Sequence, residues 1–149
     1  SKVIAVEPSS INSHCIRRNA SDFDNITVIE CIAWKKNKIL ELNLSPDPTD
    51  NSVFTPDNGK LLKKDKKIAL QLDTICSIAD LDTVDFLKID AEGAEPEVLE
   101  GINSVEINKL AIACGPERDG EPTVTDTVDI LKKEGYETKT QGNVVFGKN

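Results

Sequence analysis

The chain is short and acidic, which excludes several classes of protein. Its 149 residues are enough for one domain with a hydrophobic core and too few for two. There are 26 Asp and Glu residues against 18 Lys and Arg, and the formal net charge of −8 disfavours electrostatic binding to nucleic acid or to an anionic membrane. We therefore expect a single domain, residues 1–149, with neither of these partners.

The cysteines and the lone histidine bear on metal binding and on the cellular compartment. Cys15, Cys31, Cys76 and Cys114 are far apart, and His14 is the only histidine. Structural zinc sites draw their ligands from short spacings such as CxxC, so we expect no metal and four buried, reduced thiols. The sequence has no signal-peptide pattern and no apolar run of membrane-spanning length, and we expect a cytoplasmic protein.

Strand and helix patterns alternate along the sequence. Runs of β-branched or alternating apolar residues predict strands, and capped apolar stripes predict helices. In chain order the predicted elements are strand 2–6, helix 9–19, strands 26–32, 38–44 and 67–72, helix 73–79, strand 84–89, helix 95–101, strand 109–114, helix 124–133, and strands 136–140 and 143–146. Prolines and turn residues predict a long loop over residues 45–60, which could act as a lid.

This order predicts an α/β fold. Strands that alternate with helices favour a mostly parallel sheet, and the last two strands, joined at Gln141-Gly142, form an antiparallel hairpin at one edge. The apolar run of residues 84–89 is typical of a strand that is covered on both faces. We expect that strand at the centre of the sheet.

Acidic residues follow this central strand directly. Asp90 and Glu92 are separated by one residue, Gly93 permits a tight turn, and Pro96 suits the first turn of the next helix. In open α/β sheets, ligands bind beyond the carboxyl ends of the strands. We therefore expect the functional edge of the molecule at these acids.

The same residues carry a family resemblance. Residues 87–101, LKIDAEGAEPEVLEG, resemble the signature of the FkbM family of S-adenosylmethionine-dependent methyltransferases, and residues 3–8, 72–75 and 143–146 extend the likeness. The resemblance implies a Rossmann-like class I methyltransferase sheet, S-adenosylmethionine as cofactor, and methylation of a hydroxyl oxygen on a sugar or another small molecule. The family's opening strand, glycine-rich turn and first helix have no counterpart in the sequence, so residues 2–6 correspond to its second strand.

The strand without a counterpart would lie in the middle of the sheet. Its absence would leave backbone N–H and C=O groups of the two neighbouring strands unpaired, which is costly. We therefore predict that the strands of residues 2–6 and 84–89 pair directly, or that a homodimer covers the gap.

The resemblance also implies cofactor contacts. Glu7 ends the first strand, where an acid can accept hydrogen bonds from both ribose hydroxyls, and Pro8 follows it. Ala33 and Trp34 follow the strand of residues 26–32, where the indole could stack on adenine. A solvated acid at a strand end and an apolar covering residue are the alternative interpretations of Glu7 and Trp34.

Asp90 and Glu92 are the predicted catalytic residues. A carboxylate close to the acceptor hydroxyl could orient that hydroxyl or take its proton. Alternatively, the two acids hold a divalent cation together with Glu117, or they cap and stabilise the following helix. The resemblance favours methyl transfer. The alternative function is a non-catalytic, truncated methyltransferase-like module that binds a nucleotide-like ligand or a protein partner.

Overall fold

The structure is a computed structural model that describes residues 1–55 and 59–149. Its strands are β1 (Val3–Val6), β2 (Ile26–Ile29), β3 (Ile32–Ala33), β4 (Lys38–Leu44), β5 (Lys63–Leu70), β6 (Thr83–Val84), β7 (Leu87–Asp90), β8 (Glu106–Ile107), β9 (Lys109–Ala113), β10 (Glu137–Gln141) and β11 (Val144–Lys148). Its helices are α1 (Ser10–Asn19), α2 (Leu72–Ile78), α3 (Glu95–Leu99) and α4 (Val124–Lys133). No helix within the two described ranges stays apolar for long enough to cross a bilayer.

The described strands form four separate sheets. The largest has the order β10-β11-β9-β7, the second is β3-β5-β4, and β1-β2 and β6-β8 are two-stranded. The β1-β2, β3-β5, β6-β8 and β7-β9 pairs are parallel, whereas β4-β5, β9-β11 and β10-β11 are antiparallel. The fold is mixed α/β, and the C-terminal edge hairpin is confirmed. The mostly parallel, Rossmann-like arrangement of the sheet stays a prediction.

Two of the predicted strands are each divided in two. Residues 26–32 become β2 and β3, and residues 84–89 contribute to β6 and β7, with Phe86 58% exposed between them. The partner strand changes at both breaks, because β2 pairs with β1 but β3 with β5, and β6 pairs with β8 but β7 with β9. The apolar pattern continues across each break, so the sequence does not reveal the change of partner.

The predicted pairing of the strand at residues 2–6 with the one at residues 84–89 is wrong. Every residue of β1 has its partner in β2, and every residue of β7 has its partner in β9. Among the described residues, β1 and β7 belong to different sheets. Side chains from both strands line a shared cavity instead. The homodimer stays a prediction.

Helix α1 begins one residue later than the predicted helix 9–19 and ends at the same residue. It begins after Ser9, whose Oγ accepts a backbone N–H of the first turn at 3.4 Å. Ile11 is 70% exposed and Cys15 is exposed, so the expected burial of Cys15 is wrong. Ser13 is fully buried instead, because its hydroxyl donates to the backbone carbonyl of Glu7 at 2.9 Å. The other three cysteines are buried, and all four are free thiols.

Two hydrophobic clusters hold these elements together. The first joins α4 to the largest sheet and contains the fully buried Ile112 and Leu131. The second consists of buried residues from β3, β4 and β5 and their surroundings: Ile32, Trp34, Leu42, Ala69 and Ala94. Ala91 packs against both clusters. Residues 90–93, which we call the acid turn, therefore lie where the two cores meet.

Candidate active site

A cavity of about 500 Å³ is lined by both β1 and β7. Its volume falls within the roughly 300–1,000 Å³ that is usual for small-molecule sites. Glu7 and Pro8 line it on the β1 side, Asp90 and Glu92 on the β7 side, and Ala33 lies between them in the sequence. Glu7 and Asp90 thus line one cavity, and their chemical roles stay predictions.

On the β1 side, Glu7 is held by the backbone that follows it. Its Oε1 accepts the N–H of Ser9 at 2.7 Å. Burial raises the pKa of the Glu7 carboxyl, and the hydrogen bond from Ser9 acts in the opposite direction. A half-buried carboxylate has several acceptor positions, so Glu7 can also accept hydrogen bonds from a hydroxylated ligand.

On the β7 side, Asp90 is more open to solvent. Its side chain is 49% exposed and accepts a hydrogen bond from the Lys88 ammonium group at 2.8 Å. Glu92 has a φ of 49°, in the left-handed region that costs a non-glycine residue about 1 kcal/mol. Strained backbone of this kind persists only where surrounding contacts hold it, and it is common at functional sites.

Three side chains hold the backbone of the acid turn. The two N–H groups on either side of Glu92 donate to Glu95 Oε1 at 3.0 and 3.1 Å. The carbonyl of Glu92 accepts the Ser52 hydroxyl at 2.8 Å, and Arg118 donates to the carbonyl of Gly93. A Cβ on Gly93 would lie 3.3 Å from the backbone nitrogen of Arg118, and its φ is 86°. Glycine is therefore favoured here by both conformation and space.

Residues 45–55 form another wall of the cavity. Asn12 of α1 donates to the carbonyl of Pro48 at 3.0 Å, and Ser52 joins the segment to the acid turn. Ser52 is buried, and it lines the cavity together with Pro48. The segment is thus tethered on both sides of the cavity. The rest of the predicted loop includes residues 56–58, which lie outside the described residues.

The structure does not bring Trp34 to the cavity. The side chain is 8% exposed within the second cluster, and its ring centroid lies 6.3 Å from that of Phe54. Its Nε1 is buried without a hydrogen-bond partner among the described residues. Successive side chains of an extended segment alternate in direction, so Ala33 lines the cavity while Trp34 packs in the core. The proposed stacking of the indole on adenine is therefore corrected to a core role.

The acids suggested as cation ligands are not gathered. Within residues 1–55 and 59–149, no group of three or more His, Cys, Asp or Glu side chains is arranged to hold a metal ion. The Glu117 carboxylate folds back towards Gly115, within 1.8 Å of where a Cβ on that glycine would lie. Asp90 and Glu92 line the cavity, and Glu117 is not among its described lining residues.

The sequence reasoning missed four side chains that shape this site. They are Ser52, Lys88, Glu95 and Arg118. Lys88 and Glu95 lie inside the segment that resembles the family signature, so their position in the sequence was a usable signal. Ser52 is 40 residues from Glu92 in the sequence, and no local pattern points to their contact.

Comparison with known proteins identifies the family. The family model described as the methyltransferase FkbM domain matches residues 1–138. The chain belongs to the FkbM methyltransferase family. In this FkbM domain, the signature-like residues 87–101 comprise β7, the acid turn and α3, which place both predicted catalytic acids on the cavity. No curated protein matches the sequence.

A solved structure has a similar fold. The crystal structure of methyltransferase FkbM from Methylobacillus flagellatus KT matches with a TM-score of 0.60 and 20% sequence identity. The match covers 99% of this FkbM domain and 36% of that chain, so this chain spans little more than a third of that protein's length. At this level of identity, the likeness concerns the fold alone.

Proposed function

We propose that this FkbM domain binds S-adenosylmethionine in the cavity lined by β1 and β7 and serves in methyl transfer to a hydroxyl oxygen of a sugar or another small molecule. One observation carries the proposal: Glu7 and the acid turn, which lie at the ends of strands from different sheets of a family-matched chain, line one cavity of about 500 Å³. The proposal includes a Rossmann-like class I arrangement, in which ligands lie beyond the carboxyl ends of parallel strands.

The side chains along the cavity suit this cofactor. The Glu7 carboxylate offers acceptors for ribose hydroxyls, and the nearby Ile32 and Ala33 offer an apolar surface for a base. The carboxylates of Asp90 and Glu92 suit the positive charge of a sulfonium. The chemistry of the lining therefore fits S-adenosylmethionine from its nucleoside to its methyl-bearing end.

Asp90 is the proposed proton acceptor. When bound, the cofactor supplies an activated methyl group, so the protein mainly orients the acceptor and removes a proton. Asp90 is held by an exposed ion pair with Lys88, and such pairs are weak enough for Asp90 to exchange that partner for a hydroxyl. In that transfer Asp90 would receive the proton of the acceptor hydroxyl, and Glu92 would help orient the acceptor.

Titration calorimetry with S-adenosylhomocysteine tests the binding half of this proposal. We expect the wild-type chain to bind and Glu7→Ala to bind at least about tenfold more weakly, because a hydrogen bond to a charged group contributes about 1.5–3 kcal/mol. The control is Glu41→Ala, an exposed glutamate that pairs with Lys64 on β4 and β5. No binding by the wild type, or equal affinity for Glu7→Ala and Glu41→Ala, would overturn the proposal.

A further inference from the structure

Glu95 is the most deeply buried acid of the signature-like segment. Its relative exposure is 0%, although it is the first residue of α3. Moving a carboxylate out of water costs several kcal/mol unless hydrogen-bond donors replace the lost hydration. The burial of this side chain therefore requires donors that the fold itself supplies.

Both oxygens of Glu95 are used to join two parts of the fold. Oε1 accepts the N–H groups of Ala91 and Gly93 at 3.0 and 3.1 Å. Oε2 accepts the hydroxyl of Thr123 at 2.7 Å. Thr123 is 2% exposed and immediately precedes α4. The carboxylate thus links the acid turn to the beginning of α4.

These contacts act on the residues that line the cavity, while Glu95 itself is not among the described lining residues. The two N–H groups bracket Glu92, whose backbone is left-handed, and the first of them directly follows Asp90. Fixing both N–H groups on one oxygen sets the path of the turn and hence the directions of the Asp90 and Glu92 side chains. A catalytic carboxylate that is misplaced by about 1 Å loses on the order of a hundredfold in rate.

We propose that Glu95, held in place by Thr123, is the positioning residue of the acid turn, and that the connection from β9 to α4 thereby sets the geometry of the proposed catalytic acids. The inference rests on the proposed function for its catalytic consequence. A second contact from the same connection supports it, because Arg118 donates to the carbonyl of Gly93. The connection from β9 to α4 therefore holds the turn in two ways. Thr123 acts on its N–H groups through Glu95, and Arg118 acts directly on the carbonyl of Gly93.

The experiment is best made at Thr123. Glu95→Ala would leave three donors without a partner and endanger the fold. Thr123→Val keeps the side-chain shape and removes only the hydroxyl, and no capping hydrogen bond of α4 is lost because the Thr123 side chain makes none. Thr123→Ser restores the hydroxyl. The matched control is Thr127→Val, a fully buried threonine of α4 whose hydroxyl lies 3.4 Å from the Cys114 sulfur.

The first measurement is amide hydrogen exchange by NMR. We expect exchange at Ala91 and Gly93 to become about tenfold faster in Thr123→Val, because the carboxylate that accepts their N–H groups loses its anchor. Exchange at Ile112, in the core strand β9, should stay at its wild-type rate. Thr123→Ser and Thr127→Val should both leave Ala91 and Gly93 protected. Equal exchange at these two amides in the two valine variants would overturn the proposal.

The second measurement is calorimetric binding of S-adenosylhomocysteine to the same variants. We expect about tenfold weaker binding in Thr123→Val and wild-type affinity in Thr123→Ser and Thr127→Val. Weakening that is equal in Thr123→Val and Thr127→Val would show a general loss of packing and would contradict the positioning role. A wild-type chain that does not bind would end the proposed function, and the exchange rates at Ala91 and Gly93 alone would then decide whether Glu95 positions the turn.

Discussion

The two sides of the cavity present their acids in different ways. On the β1 side, Glu7 is half-buried and its carboxylate accepts a backbone N–H from Ser9 at 2.7 Å. On the β7 side, Asp90 is 49% exposed and its partner is the ammonium group of Lys88, itself 63% exposed. A backbone donor cannot move away, whereas an exposed lysine can. The difference suits a fixed acceptor for binding on one side and an acid that exchanges partners on the other.

The backbones of the two sides also differ, and here the β7 side is the more constrained one. After β1 the chain enters α1 through a Ser9 cap with extended φ and ψ. After β7 it passes through two left-handed residues, Glu92 and Gly93, which are held by Glu95, Ser52 and further contacts. The side with the more exposed acid therefore has the more constrained backbone. A rigid turn can present a side chain in a defined direction while the carboxylate itself stays open to exchange.

The largest expected effect tests the constraint on the acid turn. Gly93→Ala should lower the free energy of unfolding by about 2–4 kcal/mol, because left-handed strain adds to crowding against the backbone of residues 117–118. Urea denaturation measures this loss. The control is Gly135→Ala, which has a similar φ of 89° but nothing within 4 Å of the new Cβ. It should cost only about 1–2 kcal/mol, and equal losses would show that the acid turn is not specially crowded.

A smaller effect tests the burial of the acid on the β1 side. The raised pKa of Glu7 means that the folded state favours its neutral form, so its contribution to stability is present below pH 4.5 and is lost as pH rises through the raised pKa. Glu7→Gln should therefore be more stable than the wild type at pH 7, and the gain should shrink as pH falls through the raised pKa and be lost below pH 4.5. Thermal unfolding across this pH range measures the difference.

The control for Glu7 is Asp47, whose pKa is shifted in the opposite direction. Hydrogen bonds from the hydroxyl and the N–H of Thr49 lower the pKa of Asp47, whose contribution to stability is present above its ordinary pKa of 3.8 and is lost as pH falls through the lowered value. Asp47→Asn should therefore be less stable than the wild type at pH 7. A pH dependence of the same sign for both variants would contradict the contrast between a buried and a solvated acid.

The smallest effect tests the exposed ion pair on the β7 side. Lys88→Gln should change the free energy of unfolding by about 0–0.5 kcal/mol, because both side chains are largely solvated. Lys64→Gln, which breaks the exposed pair with Glu41, is the matched control. Urea denaturation compares the two. A loss above about 1.5 kcal/mol for Lys88→Gln alone would mean that Asp90 is held too firmly to exchange partners.

Local elements were largely predictable from the sequence. Helix α4 and strand β4 have the predicted bounds of 124–133 and 38–44, and α1 follows its serine cap. Each of these elements is specified by neighbouring residues: an apolar period, a cap, or a terminating glycine. The acids of the turn were predictable for the same reason, because Asp90, Glu92 and Gly93 adjoin a clear strand pattern.

Contacts between distant residues were not predictable. The Asp73 carboxylate, in the first turn of α2, accepts the N–H groups of residues 103–105, about 30 positions away. Burial acts to raise the pKa of Asp73, yet these hydrogen bonds and the one from the Ser104 hydroxyl lower it overall. No pattern near Asp73 in the sequence indicates these donors, and only the folded path of the chain brings them to the carboxylate.

The sequence by itself determined the order of the elements, the family, and the acids that line the cavity, because these depend on residue type and on neighbours along the chain. The tertiary structure decided where β2 gives way to β3, that β1 and β7 stay unpaired with each other, and that Trp34 packs in the core. It also decided that Glu95 is buried and accepts a hydrogen bond from the Thr123 hydroxyl. Which strands pair and which buried polar groups meet depends on segments that are far apart in the sequence, and a local pattern contains no information about such contacts.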